Sequence, residues 1–215
     1  MSGPSEVVSM AAAYPLVGRV ERVGEMRRLC VYAGSHAGRN PAYAEAAADL
    51  AALLARRGIG LVYGGGKVGL MGVVADAVLE AGGEAIGVIP QDLVDREVGH
   101  DGLTELRVVG SMHERKALMA DLSDGFVALP GGIGTLEELI EVYTWSQLGL
   151  HRKPMGVLNV AGYYDLLSEL LDHAVREAFL REQHRAALHV AADAEALLDA
   201  FARWRPPSEG KWLDR

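Results

Sequence analysis

The chain has 215 residues, half of them hydrophobic, 26 glycines and a formal net charge of −8. That length can bury one full core as a single domain, and an acidic balance without a long basic run speaks against a nucleic-acid polymer as partner. The one cysteine, Cys30, excludes an intrachain disulfide framework, fits a reducing compartment and reads as a small core residue. No apolar run is long enough to span a membrane. The apolar segment 10–17 is short, interrupted by Pro15 and preceded by Glu6, so it lacks the basic flank of a signal peptide. A cytoplasmic protein is expected.

Residues 1–26, rich in Gly, Pro, Ser and small side chains, read as a tail, and 206–215 as a second one. Between them, 27–205 carries a regular alternation. An apolar strand at 29–33 is followed by an Ala- and Leu-rich helix at 41–57. A strand at 60–63 runs into three glycines and a helix at 69–80. Strands at 85–89, stopped by Pro90, and at 106–109 precede a helix at 111–122. A strand at 126–129 and a helix at 136–148 follow, then a strand at 155–160, a helix at 163–179, a weaker strand at 187–190 and a helix at 194–204. Short apolar strands alternating with helices imply an α/β fold: one Rossmann-like, doubly wound parallel sheet with helices on both faces. Glycine-rich loops after strand ends place a ligand at those ends.

The most informative stretch is Leu129-Pro130-Gly131-Gly132-Ile133-Gly134-Thr135-Leu136-Glu137-Glu138. A strand, a glycine turn and a helix start within it, which exposes backbone N–H groups at the positive end of a helix dipole and suits an anion. A helix starting near Thr135 would put Glu137 and Glu138 in its first turn. Thr135-x-x-Glu138 is equally a capping box with Thr135 as N-cap. The glycines Gly131, Gly132 and Gly134 favour the ligand reading, because close approach of backbone to a ligand needs them and a simple turn does not.

Other loops add candidates. In Gly34-Ser35-His36-Ala37-Gly38, Ser35 suits a phosphate or ribose contact, while His36 reads as a solvated loop residue. Gly64-Gly65-Gly66-Lys67-Val68-Gly69 fits neither Walker A nor the dinucleotide fingerprint, and Lys67 reads as a surface charge. Ser111-x-x-Glu114 is a second capping box. Arg115 and Lys116 follow it near the positive end of the dipole, where cations are disfavoured, which implies a negative partner: a ligand, or Glu137 and Glu138. The alternative is a solvated basic pair. Glu97, in a polar loop, cannot be told from a solvated acid. Thr144 and Trp145 either line a pocket or pack in the core, and the sequence favours core. No His/Cys/carboxylate cluster has a zinc spacing, so no metal is expected.

Taken together over residues 28–185, these loops resemble the Lonely Guy (LOG) family of cytokinin-activating phosphoribohydrolases. The signature Pro-Gly-Gly-x-Gly-Thr-x-x-Glu stands at Pro130–Glu138. Supporting segments are Val62-Tyr63-Gly64-Gly65-Gly66, Gly69-Leu70-Met71-Gly72, Ser111-Met112-His113-x-Arg115-Lys116 and Gly162-Tyr163-Tyr164. The chain departs from the family at Ala33-Gly34-Ser35-His36, where Cys-Gly-Ser-Ser is common, and at Lys67, where a small polar residue is usual. The resemblance implies hydrolysis of the N-glycosidic bond of a nucleoside 5′-monophosphate to a free base and ribose 5-phosphate, without cofactor. In cytokinin activation the base is an N6-prenylated adenine. By motif position Arg115 and Glu138 would be the catalytic pair. Glu97, Lys116, Thr144 and the loop Gly131, Gly132, Ile133, Gly134, Thr135, Leu136, Glu137 would bind substrate, with Ser35 beside them. A homodimer is also implied; helices 44–54 and 140–150 are apolar enough for an interface or equally for core. Two alternatives stay open: a general purine nucleotide nucleosidase, and a nucleotide-binding module without turnover. A lysine decarboxylase label, which family members have carried, is rejected because neither Lys67 nor Lys116 sits in a recognisable pyridoxal phosphate setting.

Overall fold

The computed structural model describes residues 26–97 and 99–206. Segment 10–17 and nearly all of the two expected tails lie outside the described residues. Seven strands form one sheet in the order β4-β3-β2-β1-β5-β6-β7, all neighbours parallel. They are β1 (Arg28–Tyr32), β2 (Gly60–Tyr63), β3 (Ala85–Pro90), β4 (Glu105–Val109), β5 (Gly125–Ala128), β6 (Met155–Leu158) and β7 (Leu188–Ala191). The helices are α1 (Ala42–Arg56), α2 (Gly69–Glu80), α3 (Gln91–Glu97), α4 (Met112–Leu122), α5 (Ile133–Gln147), α6 (Asp165–Arg176), α7 (Glu182–Ala186) and α8 (Ala194–Arg203). The expected doubly wound α/β architecture is the observed one.

Side chains alternate across the sheet, because the strand period is two. Leu29 and Val31 of β1 join the core shared with α1, α2 and α8. Cys30 and Tyr32 face the other way, into the core built with Met119 of α4 and Leu139 and Val142 of α5. Both faces are covered, which is why the strands read as unbroken apolar runs. The α1 segment that could have served an interface is core: Ala47, Leu50, Ala51, Leu53 and Leu54 are all buried.

The chain walks outward from β1 to β4 and then returns to lay β5 against the free side of β1. The loops after β1 and β5 therefore diverge above the sheet, and that switch point is where open α/β sheets bind ligands. Three features were not expected: α3, α7 and a 3-10 turn at Val160–Gly162. Elements of seven, five and three residues are too short to show a hydrophobic period. The helix expected over 163–179 is α6, shorter at both ends. Ala161 and Ala178 adopt left-handed backbone at φ 50° and 60° and mark its flanks.

His151 gives the fold a pH dependence. It is 8% exposed; its ring bonds the Val142 carbonyl at 2.7 Å and accepts the Lys153 N–H at 3.1 Å. Burial pulls its pKa down to about 4, with the Val142 bond opposing and Lys153 assisting. Below about pH 6.5 the unfolded chain takes up a proton that the folded chain refuses. Stability should fall from about pH 6.5 towards pH 4, by about 3 kcal/mol from this group. Urea unfolding of wild type and His151→Gln across that range reads it: the variant's loss should be shallower, and parallel profiles would contradict the assignment.

Candidate active site

α5 starts at Ile133, and Gly132 is its N-cap, extended at φ −85° and ψ −158°, with no side-chain cap bond. This corrects the expected start near Thr135. Thr135 is the third residue of the helix and 4% exposed, so the Thr135–Glu138 capping box does not form. The reason lies at Gly131. A Cβ there would sit 2.1 Å from Thr135 Oγ1 and 2.6 Å from its Cβ. Only a residue without a side chain lets Thr135 fold inward, and the helix begins two residues early as a result. Glu137 and Glu138 consequently lie in the second turn, and the first turn carries no acid.

The first helical bond runs from the Leu136 N–H to the Gly132 carbonyl, so the N–H groups before it point out of the helix end. A Cβ at Gly132 or Gly134 would meet nothing within 4 Å. Packing within the chain does not require glycine at either position, whereas an approaching ligand would.

The loops after β1, β2 and β5 interlock. The Gly34 N–H donates to the Pro130 carbonyl at 3.2 Å, and the Leu70 N–H to the Gly34 carbonyl at 2.9 Å. Gly69 has φ +60°, and a Cβ on it would lie 2.3 Å from the Ser35 carbonyl carbon. Above these loops opens a cleft of about 250 Å³, lined by the 34–38 loop, Tyr43, Leu70, Pro130, Gly131, Gly132 and Tyr163. Ser35 thus lies beside the residues leading into α5. Tyr163 and Tyr164 pin the glycine turn from the far side, through Tyr163 Oη on the Gly131 carbonyl at 2.5 Å and Tyr164 Oη on the Leu129 carbonyl at 2.7 Å. Their segment could be recognised in the sequence, but this bracing role could not.

α4 brings the basic pair. Ser111 caps it and accepts the Glu114 N–H at 3.2 Å, while Glu114 accepts the Gly110 N–H at 2.7 Å, a capping box closed one residue early. Arg115 and Lys116 are 6% and 7% exposed, which overturns the reading of a solvated pair. Arg115 donates from Nε to the Val88 carbonyl at 3.1 Å and from Nη2 to the Gly64 carbonyl at 2.9 Å; Nη1 lies 3.7 Å from Met112 Sδ. Its charge is buried against the ends of β2 and β3 on neutral partners, a costly placement unless an anion joins it. Lys116 Nζ meets Glu137 at 2.5 Å and Glu141 at 3.1 Å. Burial alone would lower its pKa, but the two carboxylates raise it overall. The negative partner inferred for this pair is therefore real for Lys116: Glu137 pairs with it, joined by Glu141.

Glu138 is half-buried on the side of α5 that faces the end of β1. Burial pushes the Tyr32 hydroxyl well above its usual range, and the charge of Glu138 adds to that after Cys30. Thr144 is exposed, its Oγ1 on the Ile140 carbonyl at 2.8 Å, so the preference for core fails there, while Trp145 is core at 8% exposure. Glu97 closes α3 instead of lying in a loop; its side chain lies outside the described residues. Lys67 is exposed, as a surface charge should be.

These glycines divide into two kinds, and substitution should separate them. Gly131→Ala should lose about 2 kcal/mol or more through the clash with Thr135. Gly134→Ala, in open helical space, should hold or gain up to about 1 kcal/mol yet lose phosphate-induced stabilisation. Thermal melts with and without a phosphate ester measure both, and equal destabilisation of the two variants would contradict this division.

Residues 71–201 match the family model described as "Possible lysine decarboxylase". The chain is 50% identical over 196 residues to the probable cytokinin riboside 5′-monophosphate phosphoribohydrolase LOGL9 of Oryza sativa subsp. japonica, covering 91% of this chain and 86% of that one. It is 48% identical over 184 residues to LOG5 of Arabidopsis thaliana, named as the same phosphoribohydrolase, covering 86% and 81%. Among solved structures, the molybdenum cofactor carrier protein of Chlamydomonas reinhardtii shares the fold at a TM-score of 0.63 and 23% identity, over 83% of this chain and 98% of that one. With its glycine signature, its buried Arg115 and these relatives, the chain belongs to the LOG family of cytokinin riboside 5′-monophosphate phosphoribohydrolases.

Proposed function

We propose that this protein is an N-glycosyl hydrolase: it cleaves cytokinin riboside 5′-monophosphates, N6-prenylated forms of AMP, with water, releasing the free cytokinin and ribose 5-phosphate, and accepts AMP as well. The observation that carries this is the acid-free, glycine-opened start of α5 with Glu138 one turn further on. The rise from Gly134 to Glu138 is about 6 Å, comparable to the reach from phosphorus to C1′ in ribose 5-phosphate. A phosphate held by the N–H groups of Ile133, Gly134 and Thr135 sets the ribose over that carboxylate.

Breaking the C1′–N bond builds positive charge on the ribose ring, as in glycoside hydrolysis. Glu138 stabilises this charge and takes a proton from the attacking water, whose oxygen bonds to C1′ as the base leaves with the glycosidic electron pair; the base takes up one proton from solvent and Glu138 returns one to it, which restores the carboxylate. Arg115 supplies a fixed buried cation for ligand oxygens. Lys116 offsets one of the two charges of Glu137 and Glu141, which lessens their repulsion of an incoming phosphate. Ser35, Gly131, Gly132, Leu136, Glu137, Thr144 and Glu97 complete the proposed binding set. The decarboxylase description finds no support in Lys116: its two carboxylates keep it protonated, the opposite of what a Schiff-base amine needs.

We also propose one catalytic domain over 27–205, cytoplasmic and without nucleic-acid or membrane partners, assembled as a homodimer. Among the described residues no helix is long and apolar enough to cross a membrane. α6 has no buried residue and leaves Leu166 78% and Leu170 61% exposed; Ile140 of α5 is 40% exposed. Apolar exposure of this kind, with Leu166 and Leu170 one turn apart on α6, is what a second copy would cover. Sedimentation velocity should give a dimer that Leu166→Asp/Leu170→Asp dissociates; a monomeric wild type would end this part of the reading.

Chromatography of the products from isopentenyladenosine 5′-monophosphate and AMP, run side by side, tests the activity. Free base and ribose 5-phosphate are expected, with the prenylated substrate preferred. Glu138→Gln should lower turnover about a thousandfold while staying folded, and Arg115→Ala should lose activity too. Equal turnover of the two nucleotides would favour the general nucleosidase. Retained turnover in Glu138→Gln would remove Glu138 from the mechanism.

A further inference from the structure

The loop after β1 departs from the family pattern at His36, a residue the mechanism above leaves unused. It is exposed, as a solvated residue would be, but it lines the cleft together with Gly131 and Gly132. The two loops touch: the point where a Cβ on Gly34 would sit is 3.0 Å from the His36 carbonyl oxygen and 3.1 Å from Gly131 Cα. His36 Nδ1 lies 3.3 Å from Ser35 Oγ. A serine hydroxyl can donate there, and a ring whose Nδ1 accepts carries its proton on Nε2.

Besides His36, the lining side chains with a donor to offer an anion carry hydroxyls, those of Ser35 and Tyr43. Leu70 and Pro130 are apolar, and the Tyr163 hydroxyl is committed to the Gly131 carbonyl. The cations of the site are held elsewhere, Arg115 on the carbonyls of β2 and β3 and Lys116 on Glu137 and Glu141. Among the described residues no arginine or lysine lines the cleft. A phosphate at the start of α5 would thus meet backbone N–H groups and one side chain able to donate a ring N–H.

We propose that His36 is a substrate-binding residue of this chain, donating from Nε2 to the 5′-phosphate, with Ser35 fixing its tautomer from Nδ1. The identity of the ligand rests on the phosphoribohydrolase reading. A single hydrogen bond to a charged group is worth about tenfold in affinity.

The test is calorimetric binding of ribose 5-phosphate to wild type, His36→Ala and His36→Gln, together with kcat and KM for AMP. His36→Ala should weaken ribose 5-phosphate about tenfold and raise KM by more than it lowers kcat. His36→Gln, whose amide N–H can stand near the Nε2 position, should recover most of the binding. Unchanged affinity in His36→Ala, or a loss that glutamine does not restore, would overturn the proposal. A wild type that binds ribose 5-phosphate yet releases no base defeats the phosphoribohydrolase reading, while the His36 comparison still decides this one.

Discussion

The seat of Thr135 over Gly131 is the contact on which the site depends. A side chain at 131 would push Thr135 back out, and α5 would start later, behind a conventional cap. With glycine there, the helix begins at the switch point of the sheet, soon after β5, behind an N-cap, Gly132, that has no side chain to cap its first N–H groups. The same early start moves Glu137 and Glu138 into the second turn. Phosphate and carboxylate need this separation: an acid in the first turn would compete with the anion for the helix end, whereas one turn along it can face the sugar.

Around that helix end the charges are sorted by burial. Arg115 is buried on carbonyls and keeps its full positive charge directed at the ends of β2 and β3. Lys116 is bound to two carboxylates of α5, which ties α4 to α5 and offsets one of their two negative charges. Neighbouring cations in the sequence thereby take different roles, because α4 turns their side chains about 100° apart. Tyr163 and Tyr164 hold the glycine turn from the β6 side, so the turn is braced by side chains even though its own residues have almost none.

Most of the architecture was legible because both faces of the sheet are covered, and strands such as 29–33 and 60–63 read as plain apolar runs. The long helices α1, α2, α4 and α5 carried enough residues to show their period. α3 and α7 did not, and the placement of Glu97 in a loop failed with α3. The start of α5 was misread for a different reason. Thr135-x-x-Glu138 satisfies the local rule for a capping box, and a contact with Gly131, across the turn, overrides it. Arg115 and Lys116 were partly legible: cations at the positive end of a dipole demand a negative partner, but the sequence could not say that Glu141, three residues past the Thr135–Glu138 pattern, would share Lys116. Thr144 read as core, and a rotation of about 100° along α5 decides which of Thr144 and Trp145 faces inward.

The account turns on where the phosphate lies. A crystal structure of Glu138→Gln soaked with a nucleoside 5′-monophosphate measures this directly. The phosphate is predicted within hydrogen-bond distance of the N–H groups of Ile133, Gly134 and Thr135, with C1′ facing residue 138. A nucleotide bound with its phosphate away from the start of α5, or with C1′ remote from residue 138, would contradict it.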